Sequence, residues 1–148
     1  MQYKLHPATA ADYPFLYTLH VATMEPYVTQ VWGWDEQTQA DRFRANFDPS
    51  HLRIIVVDGE QIGMLEVEER QSELYLANLS ILPRFQGSGW GTCVLGDLLR
   101  QARERDIPLT LQVLCVNAGA RRLYERLGLH VIEQTPTHYR MSTTSTRA

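Results

Sequence analysis

No stretch of this chain stays apolar for the ~18 residues that a membrane-spanning helix requires. The opening fifteen residues, MQYKLHPATAADYPF, lack the apolar core of a secretory leader. Cysteine is scarce. Cys93 and Cys115 are the whole complement, with neither metal nor redox spacing, so no metal site and a reducing, cytoplasmic setting are expected. Charge of one sign is scarce too: the net charge is −3, which leaves no basic footprint for nucleic acid. Arg100, Arg103, Arg105, Arg121, Arg122 and Arg126 make the C-terminal half locally basic, and solvated helix faces account for most of them. Repeats and linkers are absent. What remains is 148 residues, 44% hydrophobic and 21% charged, enough for one domain with one sizeable core. That domain is expected over residues 1–142. The polar run STTSTRA closes the chain, and residues 143–148 are expected as a disordered tail.

The apolar periodicities sort into strands and helices. YKLHP reads as a first strand. Thr9 and Asp12 form a capping-box pattern that opens a helix through about Ala22. Asp35 is placed to cap a second helix, in which Phe43 and Phe47 recur at helical spacing. LRIIVVDGEQIGMLEVEE is a hairpin with its turn at Asp58-Gly59. SELYLANLSIL is a further strand, stopped by Pro83. Trp90, Val94, Leu95, Leu98, Leu99 and Ala102 mark one face of a helix that Asp106 and Pro108 end. LTLQVLCV reads as a buried strand. Ala120, Leu123, Tyr124 and Leu127 trace a short helix closed by Gly128. LHVIEQ and THYRM are the last strands. This order predicts an α/β (α+β) fold: a mixed, mostly antiparallel sheet of about seven strands with helices on both faces.

Between a strand and a helix lies RFQGSGWGT, residues 84–92. The first turn of a helix carries unpaired backbone N–H groups and the positive end of the dipole, where a phosphate fits. Gly87, Gly89 and Gly91 remove the side chains that would keep an anion away, and Ser88 and Thr92 add hydroxyls. The segment reads as a phosphate cradle; a glycine-rich turn for tight strand–helix packing is the structural alternative. No lysine follows Gly91, so the nucleotide-triphosphate pattern fails. The dinucleotide fingerprint fails as well, because the glycines come as G-x-G-x-G and after several strands.

The pattern that fits is Q-x-x-G-x-G, preceded by LSILPRF. Here the sequence resembles the GNAT superfamily of N-acetyltransferases, in which this loop grips the pyrophosphate of acetyl-coenzyme A. LCVNAGARRLYERLGLHV, about 30 residues on, is similar to the family's second signature. The resemblance covers nearly the whole chain, from Tyr3 to about Met141. It implies acetyl-coenzyme A as co-substrate, with Gln86, Gly87, Ser88, Gly89, Trp90, Gly91 and Thr92 at the pyrophosphate. It implies that the strands ending at Leu82 and Val116 part, so that the backbone of Leu79, Ser80 and Ile81 serves the pantetheine arm and acetyl carbonyl like a paired strand. Asn117 is implied on the same arm and Tyr124 beside the thioester sulfur. A helix cap for Asn117 and a core position for Tyr124 are the plain alternatives.

The implied chemistry is direct attack of an amine on the thioester while both substrates are bound. Backbone N–H near Ile81 would stabilise the oxyanion and Tyr124 would protonate the leaving thiolate. Relatives that place a glutamate before the asparagine have it where this chain has Gln112; others have it where this chain has Tyr75. The base is therefore open among Glu66, Glu68, Glu73 and His138, with Glu66 and His138 taken as catalytic candidates and a solvated strand face as the alternative for the glutamates. EPYVTQVWGWDE is read as the join between the first two helices, the segment that usually walls the acceptor pocket in this family. Trp32 and Trp34 are the substrate-contacting candidates, with a hydrophobic latch between helices as the alternative. The acceptor is expected to be a small-molecule amine or a protein amino group; no nucleic acid or membrane is expected, and a homodimer is compatible. The rival class is a non-catalytic acyl-coenzyme A-binding sensor or regulatory module.

Overall fold

The computed structural model describes residues 1–144. The apolar runs resolve into seven strands: β1 (Lys4–Pro7), β2 (Leu52–Val57), β3 (Glu60–Glu69), β4 (Leu74–Ile81), β5 (Leu109–Leu114), β6 (His130–Gln134) and β7 (His138–Ser142). They form a sheet in the order β1-β2-β3-β4-β5-β7-β6. The ladders β1/β2, β2/β3, β5/β7 and β6/β7 are antiparallel, and β4/β5 is parallel. Four α-helices accompany them: α1 (Tyr13–Val31), α2 (Glu36–Ala45), α3 (Trp90–Glu104) and α4 (Ala118–Arg126). The mixed, mostly antiparallel seven-stranded sheet is the class read from the sequence. The chain groups into two compact units, Met1–Glu66 with Asn78–Ser88, and Val67–Ala77 with the chain from Gly89 onward, so the covalent paths of β3 and β4 run through both.

In the first unit the capping box forms as read. Thr9 Oγ1 accepts from Ala11 N at 3.3 Å, and Asp12 Oδ2 accepts from Thr9 N at 2.8 Å. The short 3-10 turn that follows, Ala10–Asp12, leads into α1. This helix runs nine residues past the expected end at Ala22, through Pro26 to Val31. A proline inside a helix removes one N–H donor and costs ~3 kcal/mol. The inward face nevertheless continues across it: Leu16, Leu19 and Val28 are all buried. The segment read as a long connection is therefore mostly helix, and only Trp32–Asp35 joins α1 to α2. Ala8, Leu16, Leu19, Ile54 and Met64 form the core here, flanked by Phe15, Phe43, Phe47 and Leu82. Asp58 and Gly59 both take positive φ, 51° and 78°, as a type I′ hairpin turn demands. Beyond the turn, Ile55 faces Gly63 but Val56 faces Gln61, so Ile62 is an extra residue in β3.

In the second unit α3 buries Val94, Leu95, Leu98, Leu99 and Ala102, the face predicted for it. β5 is buried at Leu109, Leu111 and Val113. At the end of α4, Gly128 has φ +99°; its N–H reaches Glu125 O and that of Leu129 reaches Tyr124 O. These paired bonds close the helix as a Schellman motif. The last strand runs one residue past THYRM: Ser142 lies in β7, 3% exposed, opposite Thr110, because ladder pairing carries the strand into the polar run. Thr143 N still bonds Leu109 O at 3.1 Å. Residues 145–148 of the expected tail lie outside the described residues.

Candidate functional site

The glycine segment begins with a 3-10 turn, Pro83–Phe85, and Leu82 N is fixed to Ile62 O at 2.8 Å. Gln86 does not reach forward along the loop. Its Nε2 donates back to Ile81 O at 2.8 Å and braces the exit from β4. Gly87 has φ +78° with open space where a Cβ would lie, so conformation rather than crowding demands glycine there. Gly89 is the N-cap of α3, at φ +92°, and supplies no capping side chain. The helical ladder starts with Cys93 N to Gly89 O at 3.0 Å, which leaves the N–H groups of Trp90, Gly91 and Thr92 ahead of it. No acidic residue lies in this first turn. An anion needs uncovered donors, the positive dipole end and no carboxylate in the way. The segment meets all three conditions, so a pyrophosphate fits it. Ser88 and Thr92 are exposed.

Behind the loop, Ser80 and Ile81 are 7% and 9% exposed, and Ser80 Oγ donates to Asn78 Oδ1 at 3.0 Å. Leu79 is half-buried. Their place depends on a residue the sequence reading passed over. A Cβ on Gly63 would stand 2.3 Å from Ser80 O and 3.2 Å from Ile81 Cα. Only glycine admits the β4 backbone this closely. The signal was present, since an isolated glycine inside a strand pattern marks a bulge or a close approach.

In the second unit Asn117 caps α4: its Oδ1 accepts from Ala120 N at 3.1 Å, and its own N–H goes to Leu114 O at 2.9 Å. The cap uses only the oxygen of its side chain. Tyr124, on the same helix, is half-buried, and burial raises its pKa above the ordinary phenol value. Among the described residues its hydroxyl has no hydrogen-bond partner, so it is a protonated phenol with its donor uncommitted. His138 lies opposite Leu114 in the β5/β7 ladder, with Nδ1 2.8 Å from Thr137 Oγ1. Leu114 thereby brings His138 and Asn117 to the same end of β5. Two of the four base candidates are committed elsewhere. Arg70 holds Glu68 at 3.0 Å and Glu73 at 2.6 Å, and Arg140 lies 3.4 Å from Glu73. Glu66, in the first unit, is half-buried opposite Leu52. Gln112 faces Arg140 across the β5/β7 ladder. Tyr75 carries the Arg70 guanidinium 4.3 Å above its ring, and burial raises its phenol pKa.

The two tryptophans of the α1–α2 turn part company. Trp34 is half-buried. Its Nε1 donates to Glu36 Oε2 at 2.8 Å, and its ring centroid lies 6.0 Å from that of His20. His20 in turn is 5.0 Å from Phe43, and Phe43 is 5.3 Å from Tyr17. Burial lowers the pKa of His20, against a hydrogen bond to the side chain of Gln39 that raises it. Trp34 is therefore the latch. Trp32 is 60% exposed and has no ring contact among the described residues. The reading from sequence passed over Tyr17 and His20, three positions apart on α1, which form a cluster with Phe43 only once α1 and α2 are paired.

Several known proteins are similar to this chain in sequence or in fold. A ribosomal protein bS18-alanine N-acetyltransferase of Haemophilus influenzae is 33% identical over 90 residues, covering 60% of this chain and 62% of the relative. The chain thus matches about three fifths of the length of that curated relative. The crystal structure of the PaiA N-acetyltransferase of Thermoplasma acidophilum in complex with coenzyme A superposes with a TM-score of 0.78 at 14% identity, over 97% of this chain and 99% of the other. The ribosomal-protein-S18-alanine N-acetyltransferase of Escherichia coli superposes at 0.67 with 21% identity, over 99% and 96%. Residues 13–129, from the first turn of α1 to the close of α4, match the model of the acetyltransferase (GNAT) family. With the cradle, the asparagine-led helix and the seven-stranded sheet, that match places the chain in the acetyltransferase (GNAT) family, whose common chemistry is acetyl transfer from acetyl-coenzyme A to an amine.

Proposed function

We propose that this chain is an N-acetyltransferase that moves the acetyl group of acetyl-coenzyme A directly to a free amino group, within a single domain over residues 1–142. The observation that carries the reading is the entrance of α3, where N–H groups follow a glycine cap with no carboxylate to oppose an anion. The coenzyme supplies an activated acyl group and a thiolate that leaves. Residues Gly87–Thr92 hold its pyrophosphate, and Gln86 braces the loop from behind. The backbone of Leu79, Ser80 and Ile81 and the side-chain amide of Asn117 hold the arm, and the Ile81 N–H takes the charge that builds on the acyl oxygen. Tyr124, kept protonated by its surroundings, donates to the leaving sulfur. Glu66 and His138 accept the proton that the amine gives up, directly or through water; Glu68 and Glu73, held by arginines, do not. The Trp32–Asp35 turn walls the acceptor.

The acceptor we favour is a protein or peptide amino terminus, because the relatives from Haemophilus influenzae and Escherichia coli are named for the alanine of a ribosomal protein. A cytoplasmic setting follows from such a substrate. The test is incubation with acetyl-coenzyme A and a panel of peptides with free amino termini, lysine side chains, small amines and acidic acceptors, read by release of free thiol. Release with amino-terminal peptides is expected. Binding of the coenzyme without release for any acceptor would assign the chain to non-catalytic acyl-coenzyme A binding instead.

A further inference from the structure

The α1–α2 turn is four residues long and pinned at both ends. On one side Trp32 N bonds Val28 O at 2.8 Å and Gly33 N bonds Thr29 O at 3.2 Å, with Gly33 at φ +79°. On the other, Asp35 Oδ2 caps α2 through Thr38 N at 2.9 Å. Caps fix where helices start and stop, but they do not fix which way the side chains of a turn face. A single carboxylate does that here. Glu36 Oε2 accepts the Trp34 indole N–H at 2.8 Å, and Glu36 Oε1 accepts the Tyr17 hydroxyl at 3.0 Å. Tyr17 belongs to the second turn of α1, 19 positions earlier, so the carboxylate ties the turn to the far part of that helix. Trp34 is drawn beside His20, which in turn lies on Phe43, and its neighbour two residues back stays 60% exposed.

We infer that Glu36 is a positioning residue: its carboxylate, bridging Trp34 and Tyr17, sorts the two tryptophans of the turn, seating Trp34 in the aromatic cluster and leaving Trp32 displayed toward the acceptor. The inference rests on the proposed function for the role of the turn, but the bridge itself does not. Both bonds are to an ionised acceptor, the stronger kind. Glutamine at this position keeps a carbonyl for the indole and an amide that can donate to the Tyr17 hydroxyl, so it preserves the bridge in neutral form. Alanine removes it.

The experiment uses the full chain, labelled with ¹⁵N, and two readouts. In the amide spectrum the chain shows three tryptophan side-chain signals. Glu36→Ala should move the Trp34 indole signal toward its solvent-exposed position, and Glu36→Gln should leave it close to wild type. In the thiol-release assay Glu36→Ala should raise KM for the amine about tenfold, the worth of one charge-assisted hydrogen bond, with kcat nearly unchanged; Glu36→Gln should restore KM. A merely structural role would lower the active fraction, and so kcat, without moving KM. If Glu36→Ala does not fold, Tyr17→Phe, which cuts only the tether to α1, is read the same way. An unmoved indole signal, or an unmoved KM beside a moved signal, overturns the inference. A wild-type chain with no turnover overturns the proposed function and the effect on the acceptor together, and leaves the bridge to be judged by the indole signal alone.

Discussion

Tyr124 carries the sharpest expectation about a single side chain. Its phenol is raised by burial and its hydroxyl lacks a protein partner among the described residues, so it keeps its proton and has it free to give. Removing the hydroxyl takes away no contact that the folded chain uses. Tyr124→Phe should therefore fold, bind coenzyme A as before and turn over ~10²- to 10⁴-fold more slowly, the usual range for a general acid. Unchanged turnover in the thiol-release assay would return Tyr124 to the hydrophobic face of α4. Side chains with one dominant use were legible in the sequence. Asn117 was placed both as cap and as coenzyme contact, and the cap is formed, through Oδ1 alone. Glutamates were not legible in this way. Nothing in the spacing of Glu66, Glu68 and Glu73 says that Arg70 and Arg140 will occupy the last two, because the pairing joins residues from the β3–β4 turn to β7.

Among the elements, the entrance of α3 decides whether the chain binds its co-substrate. A ligand that binds only the folded state raises the melting temperature by mass action. Coenzyme A should do so here, and Gly89→Glu should abolish the rise, because a side chain at φ +92° is strained and a carboxylate opposes the pyrophosphate. A variant that still responds to coenzyme A in a thermal melt would refute the cradle. Such a strand–glycine–helix junction is readable because its requirement is local: backbone sign, missing Cβ, helix start. The end of α1 was misread for the complementary reason. The expected end at Ala22 falls short of Pro26, itself a strong local breaker, yet the helix continues through it to Val28, whose burial no local pattern announces. Gly63 was likewise passed over, since its close neighbours are Ser80 and Ile81 on the next strand.

For the molecule as a whole, acid should be destabilising through His20. Its folded pKa lies below the ordinary value of about 6.5, first because burial disfavours the imidazolium, with the Gln39 hydrogen bond opposing in part. The unfolded chain then binds the proton more readily than the folded one. This contribution is fully present above about pH 6.5 and is lost as the pH falls through that value toward the folded pKa. The melting temperature should drop between about pH 7.5 and 5.5. His20→Phe, which keeps a ring in the cluster, should flatten that part of the drop. An unchanged slope would overturn the assignment to His20. The fold class was legible at this scale because period and turn chemistry repeat over many residues. The pairing of α1 with α2 was not, since it is written in aromatic rings spread from Tyr13 to Phe47.

Pro26 has a consequence for time rather than shape. It cannot donate to the carbonyl four residues before it, that of Ala22, an exposed residue. The hydrogen-bond ladder of α1 is thereby interrupted once along its length. The rod of 19 residues thus lacks one rung in its interior. Before the gap lie two buried anchors, Leu16 and Leu19; after it lies one, Val28. A helix opens first where its rungs and anchors are fewest, so any local opening of α1 should begin in residues 27–31, at the end that leads to Trp32.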